Sequence, residues 1–222
     1  MTTPIRTVVE RGPKGKRAVA FAIDWPGWSR GAKSPDEALE TLEAYRERYR
    51  PVARHAGLDG ELDGAPLEIV EDHQGNTSTD FWGISWLPSS FERGPMEPEV
   101  LERRLALLAG AWRFFDEVAA RVSPELRRGP RGGGRSRDEI IAHVFGNERV
   151  QFSKKVGVAT PPGVMLTPDG LRRHRDQFLA GIRDYNAADR KVGRTWTLQY
   201  LVRHATYHVL DHAWELEDRD LS

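Results

Sequence analysis

The sequence predicts a small α+β unit over residues 1–90, ordered β-β-α-β-β, followed by an all-α antiparallel four-helix bundle over residues 97–222. Three observations carry this reading. The first 85 or so residues hold short β-branched and apolar runs split by glycine-rich turns, as strands and hairpins require. Pro88, Pro95 and Pro98 then mark a linker. Beyond them, four long stretches repeat apolar residues at helical spacing.

Residues 5–10 and 17–24 read as the first two strands, separated by the turn-prone Gly12-Pro13-Lys14-Gly15. Trp25-Pro26-Gly27-Trp28 follows as a turn flanked by aromatics, and its two tryptophans either brace that turn or form a partner surface. Ser34 then caps a helix, with Pro35 in its first turn and Glu37 three residues after the cap. That helix should run to about Tyr49, where Pro51 interrupts it. Residues 67–72 and 80–85 read as two further strands around Gln74-Gly75-Asn76. In the second half the helical stretches are residues 97–122, 138–156, 168–185 and 195–217, and Thr167-Pro168-Asp169 is a clear helix start. Modest connections between amphipathic helices make an antiparallel bundle the default arrangement. Trp112, Trp196 and Trp214 fall where bundle core is expected.

A chain of 222 residues suits one large domain or two modest ones. Its 33 basic and 33 acidic residues cancel, so no global field favours nucleic acid or an anionic membrane. The arginine-rich loop between residues 127 and 137 reads as a solvated connection, and nucleic acid is not an expected partner. No apolar run approaches the roughly 20 residues a membrane span needs, and no leader pattern begins at Met1, so a cytoplasmic protein is expected. The absence of cysteine excludes disulfides, thiolate nucleophiles and sulfur-ligated zinc. A metal would have to be held by His, Asp or Glu.

Residues 195–217 place His204, His208 and His212 four residues apart. Positions i and i+4 lie about 40° apart around a helix, so such a pair can clamp one ion. On the same wheel Leu198, Leu201, Ala205, Val209 and Leu216 define the buried side. His212 falls inside that face, His208 on its edge, and His204 further towards solvent. Surface placement and a satisfied core histidine compete with ligation for any helical pair. A third histidine, His143, sits on the flank of the stripe made by Ile140, Val144 and Phe152. Three imidazoles suit zinc or nickel, with iron, manganese or cobalt also compatible, and leave a coordination position open. Glu215 is placed to orient an imidazole. Glu148 lies mid-stripe, where a carboxylate needs a partner: it could back the metal site, serve as a general base, or pair with an arginine of another helix. His55 and His73 read as solvent histidines, and His174 as an edge residue of the third helix.

The segments Asp138-Glu139-Ile140-Ile141-Ala142-His143 and Leu201-Val202-Arg203-His204 through Tyr207-His208-Val209-Leu210-Asp211-His212 resemble the second and fourth helices of the DinB-like superfamily. That resemblance spans about the last 125 residues. It implies a four-helix bundle with metal held by His143, His208 and His212. It also implies metal-dependent chemistry, such as transfer reactions using low-molecular-weight thiols, with a small-molecule substrate. The DHAWELEDR tail departs from the wording usual in that family. The run Ala18-Val19-Ala20-Phe21-Ala22-Ile23-Asp24-Trp25-Pro26-Gly27, with Ser34-Pro35-Asp36-Glu37-Ala38-Leu39, is similar to the HicB-like antitoxin fold. It implies a partner-binding unit, through which a homodimer or a protein partner would form, and no carboxylate cluster for nuclease chemistry accompanies it. The competing function is therefore a non-catalytic interaction protein with a metal-stabilised bundle.

Overall fold

The computed structural model of the chain describes residues 3–128 and 134–221, so residues 129–133 of the arginine-rich loop lie outside the described residues. Four strands form one mixed sheet: β1 (Ile5–Arg11), β2 (Ala18–Ala22), β3 (Ser29–Ala32) and β4 (Leu67–Gln74), in the order β3-β2-β1-β4. β2 pairs antiparallel with β1 and β3, whereas β4 runs parallel to β1 at the edge. Side chains alternate across the sheet. Ala18, Ala20 and Ala22 belong to the main core, and their small side chains let α1 (Pro35–Ala44) lie close against β2. Val8, Phe21 and Ile23 form a second apolar cluster.

Two elements correct the expected β-β-α-β-β order. Ser29-Arg30-Gly31-Ala32 has no strand-forming composition, yet it pairs with β2 as β3. Pairing, rather than propensity, selects it. Residues 80–85 are not a strand: α3 (Thr77–Trp82) occupies their start. Asn76 caps it with Thr79 in a reciprocal box, and Gly83 closes it in the left-handed region at φ 67°. Asp80 then accepts from the backbone N–H groups of Lys14 and Lys16 at 2.7 and 2.8 Å, tying α3 to the β1–β2 turn.

The first helix also ends earlier than expected. It breaks at Tyr45, and α2 (Arg46–His55) carries Pro51 inside it. The break re-aims the chain so that Tyr49, Val52 and Ala53 are buried, which outweighs the one ladder bond that proline cannot donate. Trp25 and Trp28 are both buried, Trp28 Nε1 donates to the Leu42 carbonyl at 2.8 Å, and Tyr49 Oη donates to the Pro26 carbonyl at 3.0 Å. Both tryptophans therefore brace the turn from within.

The second half contains α4 (Pro98–Arg121), α5 (Arg137–Asn147), α6 (Pro168–Ala187) and α7 (Leu198–Arg219). α4, α5 and α6 each pack against α7. The expected helix over 138–156 changes geometry partway: α5 gives way to a π turn, Glu148–Phe152, and a 3-10 turn, Ser153–Val156. π turns widen the helix and frequently sit at functional sites. This one keeps Glu148 and Phe152 both inward, each 2% exposed. One core runs from Ile5, Trp28 and Leu42 through Leu107 and Phe115 to Val209 and Leu216, joining the two halves. Gly110 makes this possible where α4 meets α2, because a Cβ there would lie 2.7 Å from the Val52 carbonyl oxygen. Among the described residues no helix is long and apolar enough to cross a membrane.

The proline-marked segment is pinned rather than free at Ser85–Glu92. Glu92, wholly buried, accepts from Arg203 Nε and Nη2 on α7 at 2.7 and 3.0 Å. Arg203 Nη2 also donates to the Leu87 carbonyl at 3.0 Å, and its guanidinium lies 3.9 Å from the Phe21 ring centre.

A buried carboxylate on β1 changes the reading of His73. Glu10 accepts from Thr79 Oγ1 at 2.6 Å, Ser85 Oγ at 2.7 Å and the Trp86 N–H at 3.2 Å. His73 is not a solvent histidine, since its Nε2 lies 3.5 Å from Glu10 and its Nδ1 3.0 Å from Glu71. His55 likewise pairs with Glu117, at 3.0 Å. Glu10, against the cost of burial and with help from Glu71, raises the His73 pKa above its ordinary 6.5. Protonated His73 therefore stabilises the fold fully below about pH 6.5, and that contribution is lost as pH rises through the raised value. The His73 ring resonances should titrate with a midpoint above 6.5 in NMR, and Glu71→Gln should lower it. A midpoint at or below 6.5 in the parent would contradict the pairing.

Candidate metal centre

α7 carries two of the three candidate ligands because its sequence keeps histidine at i and i+4 without a helix breaker. Thr197 caps it, accepting from the Tyr200 N–H at 3.1 Å. Its packing departs from the wheel expected for a single buried side: Tyr200, Arg203, His204 and Thr206 are buried as well as Leu201, Ala205 and Val209. His204, expected towards solvent, is 8% exposed. The sheet and the segment around Trp86 cover that side. Trp86, Trp196 and Tyr200 lie 5.2–5.4 Å from the His204 ring, and burial pushes its pKa down to about 3.

α5 supplies His143 across from this pair. Ser136 and Glu139 form its reciprocal capping box, which fixes where the helix begins. His143 Nε2 and His208 Nε2 stand 3.2 Å apart. One candidate ligand atom from each of His143, His208 and His212 lies within 4.8 Å of the others. Two nitrogens about 2.0–2.1 Å from a tetrahedral ion would be separated by roughly 3.3 Å. The first pair therefore already has the spacing of a coordination edge, and His212 lies within reach of the same point. His143 is the most exposed of the three and His212 the most buried.

The surroundings keep His143 and His208 neutral and hold the His212 ring in orientation. Burial first, then repulsion from His212, His143, His204 and Arg135, pushes the His208 pKa down to about 2. The His143 pKa is also lowered, by burial and by His212 and Arg135. Neutral rings offer lone pairs. His212 Nδ1 donates to Glu215 Oε2 at 2.7 Å, which leaves its Nε2 to face an ion. Glu215 is held in turn by Arg135 at 3.1 Å and Arg219 at 2.9 Å. Burial opposes its charge, but the hydrogen bond from His212 and the nearby guanidinium of Arg135 hold its carboxyl at about 2. His208 Nδ1 is buried without a hydrogen-bond partner, and its ring is set by packing against His212, His143 and Phe152, 4.7, 5.2 and 5.5 Å away.

Glu148 does not join this group. Its Oε1 lies 3.4 Å from His174 Nε2 and 3.6 Å from Arg175 Nε, both on α6, and Arg175 also binds Asp116 of α4. His174 is 1% exposed, not an edge residue, and Thr160 Oγ1 meets its Nδ1 at 2.6 Å. Of the alternatives open to Glu148, pairing with an arginine of another helix is the one these contacts describe. Burial raises its pKa to about 7, despite Arg175. Sequence reasoning missed Arg135, which reaches Glu215 from a loop read as solvated, and Asn147, whose amide donates to the His143 carbonyl at 3.0 Å. Asn147 follows His143 by four residues, which was the available signal. Arg135 had none. No family model, curated protein or solved structure matches the chain.

Proposed function

We propose that the chain is a metal protein of DinB-like architecture, an antiparallel four-helix bundle holding one divalent ion, zinc or nickel, through His143, His208 and His212. The observation that supports this is the convergence of three imidazoles from α5 and α7, two already at coordination spacing and one oriented by Glu215. Three nitrogen ligands leave a position for a small molecule, and an ion there acts as a Lewis acid that lowers the pKa of a thiol or water entering it. The reading extends to a transferase using a low-molecular-weight thiol. In that role Arg135, whose charge acts on His143 and His208, favours an anionic sulfur, Glu215 keeps His212 from rotating away, and Phe152 walls one side of His208.

A second reading has its own observation. Phe81 and Trp82 on α3 are 70% and 60% exposed and pack edge to face, 4.6 Å apart. Such a pair fits a HicB-like partner-binding unit, with the bundle as a metal-stabilised scaffold. Cobalt substitution separates the two. If the site takes a thiolate, small thiols should add a sulfur-to-metal charge-transfer band that strengthens as pH rises towards the thiol's pKa and disappears in His212→Ala. A fully cobalt-loaded protein whose spectrum ignores every small thiol tested would end the transferase reading and favour the scaffold.

A further inference from the structure

A cavity of about 480 Å³, remote from the histidines in sequence and in lining, opens between the start of β1, the turn after β2 and the first turns of α4. Its walls include Ile5, Asp24, Trp25, Val100, Arg103 and Arg104. Arg104 is the unusual member. It is 3% exposed, its Nη2 donates to the Ile23 carbonyl at 3.1 Å, and its Nη1 has no hydrogen-bond partner.

The charge on Arg104 has no paired carboxylate. The nearby acids are already engaged: Glu92 accepts from Arg203 at 2.7 and 3.0 Å, and Asp24 accepts from Arg6 at 2.6 and 2.8 Å. The groups that act on Arg104 are Glu92, Asp24, Arg203 and Arg6. Neither acid hydrogen-bonds to Arg104, whose guanidinium is held by the Ile23 carbonyl alone and so has no paired counter-ion among the described residues. A buried charge with no counter-ion is costly, and proteins that retain one give it a partner. Burial lowers the Arg104 pKa accordingly.

The geometry points to a binding site for a small organic carboxylate in this cavity, with its charge neutralising Arg104 and its body against Ile5, Trp25 and Val100. A monoanion matches the single charge of the Arg104 guanidinium. A phosphate dianion would exceed it and would face Asp24 and Glu61, which share the rim. Arg103 adds shape rather than free charge, since it lies 4.5 Å from the Trp25 ring centre and pairs with Glu61 at 2.9 Å. The walls suit a ring or short alkyl chain.

Benzoate, acetate and inorganic phosphate are the probes, titrated into the full chain in low-chloride buffer and followed by calorimetry and thermal unfolding. Benzoate should bind saturably and raise the melting temperature, acetate more weakly, and phosphate not at all. Arg104→Met should melt no lower than the parent without ligand, because an unpaired charge has been removed, and should lose the benzoate response. Val100→Trp fills the cavity from a position 41% exposed, so it should abolish binding while leaving Arg104 and the fold intact. Absence of saturable benzoate binding to the parent would overturn the proposal. So would an undiminished response in Arg104→Met or Val100→Trp, which would place benzoate elsewhere. If Arg104→Met does not fold, Val100→Trp alone decides.

Discussion

Changing His143, His208 or His212 to Ala is expected to weaken divalent-metal affinity on the order of 100-fold each, and changing all three to abolish stoichiometric binding. The magnitude follows from sharing roughly 10–16 kcal/mol of ion-binding free energy among about four ligands. Glu215→Gln should cost about 10–100-fold, because His212 Nδ1 loses the acceptor that fixes its tautomer. Titration of the metal-free protein with zinc or nickel against a competing chelator measures all five variants. A triple alanine variant that binds as tightly as the parent would remove the site. His204→Ala is a useful contrast: its ring is stacked on Tyr200, 5.3 Å between centres, so stability should fall while stoichiometry stays.

Glu92→Ala should be the most destabilising single change outside the apolar core, by about 3–5 kcal/mol, because it strands the Arg203 guanidinium in a site 3% exposed. Arg203→Ala should cost a similar amount. The double variant Glu92→Met with Arg203→Met should recover most of the loss, since neither charge then needs solvation it cannot have. Chemical denaturation of the four proteins provides the test. Equal, additive losses in the double variant would show that the two side chains do not act as a pair.

The parts of this molecule that were legible in its sequence are those decided locally. Histidines spaced by four residues share a face whatever surrounds the helix, and His143 stood beside an apolar stripe of its own. Glu148 was read as inward-facing and is 2% exposed. What failed depended on contacts from far along the chain. β3 exists because β2 lies beside it. Asp80 belongs to a helix whose side chain was needed at the β1–β2 turn, 64 and 66 residues away in sequence. The cap Asn76, Thr79 and Gly83 did announce that helix, but the neighbouring aromatics were read as strand. His204 was placed towards solvent because a wheel knows one buried side, and the second wall comes from residues around Trp86.

The ligands of the proposed centre are mounted on two supports of very unequal length and burial. α7 is sealed along most of its length on several faces, and a segment held that way opens only when much of the molecule opens with it. α5 is half as long, at 11 residues against 22, and runs directly into the π turn. His208 and His212 would thus act as the fixed jaw of the proposed centre and His143 as the movable one. In the proposed centre, entry and escape of an ion would be a local event on α5, with kinetics set apart from the global stability of the fold. The same asymmetry would make opening at α5, rather than unfolding of the protein, the step that governs how fast metal exchanges.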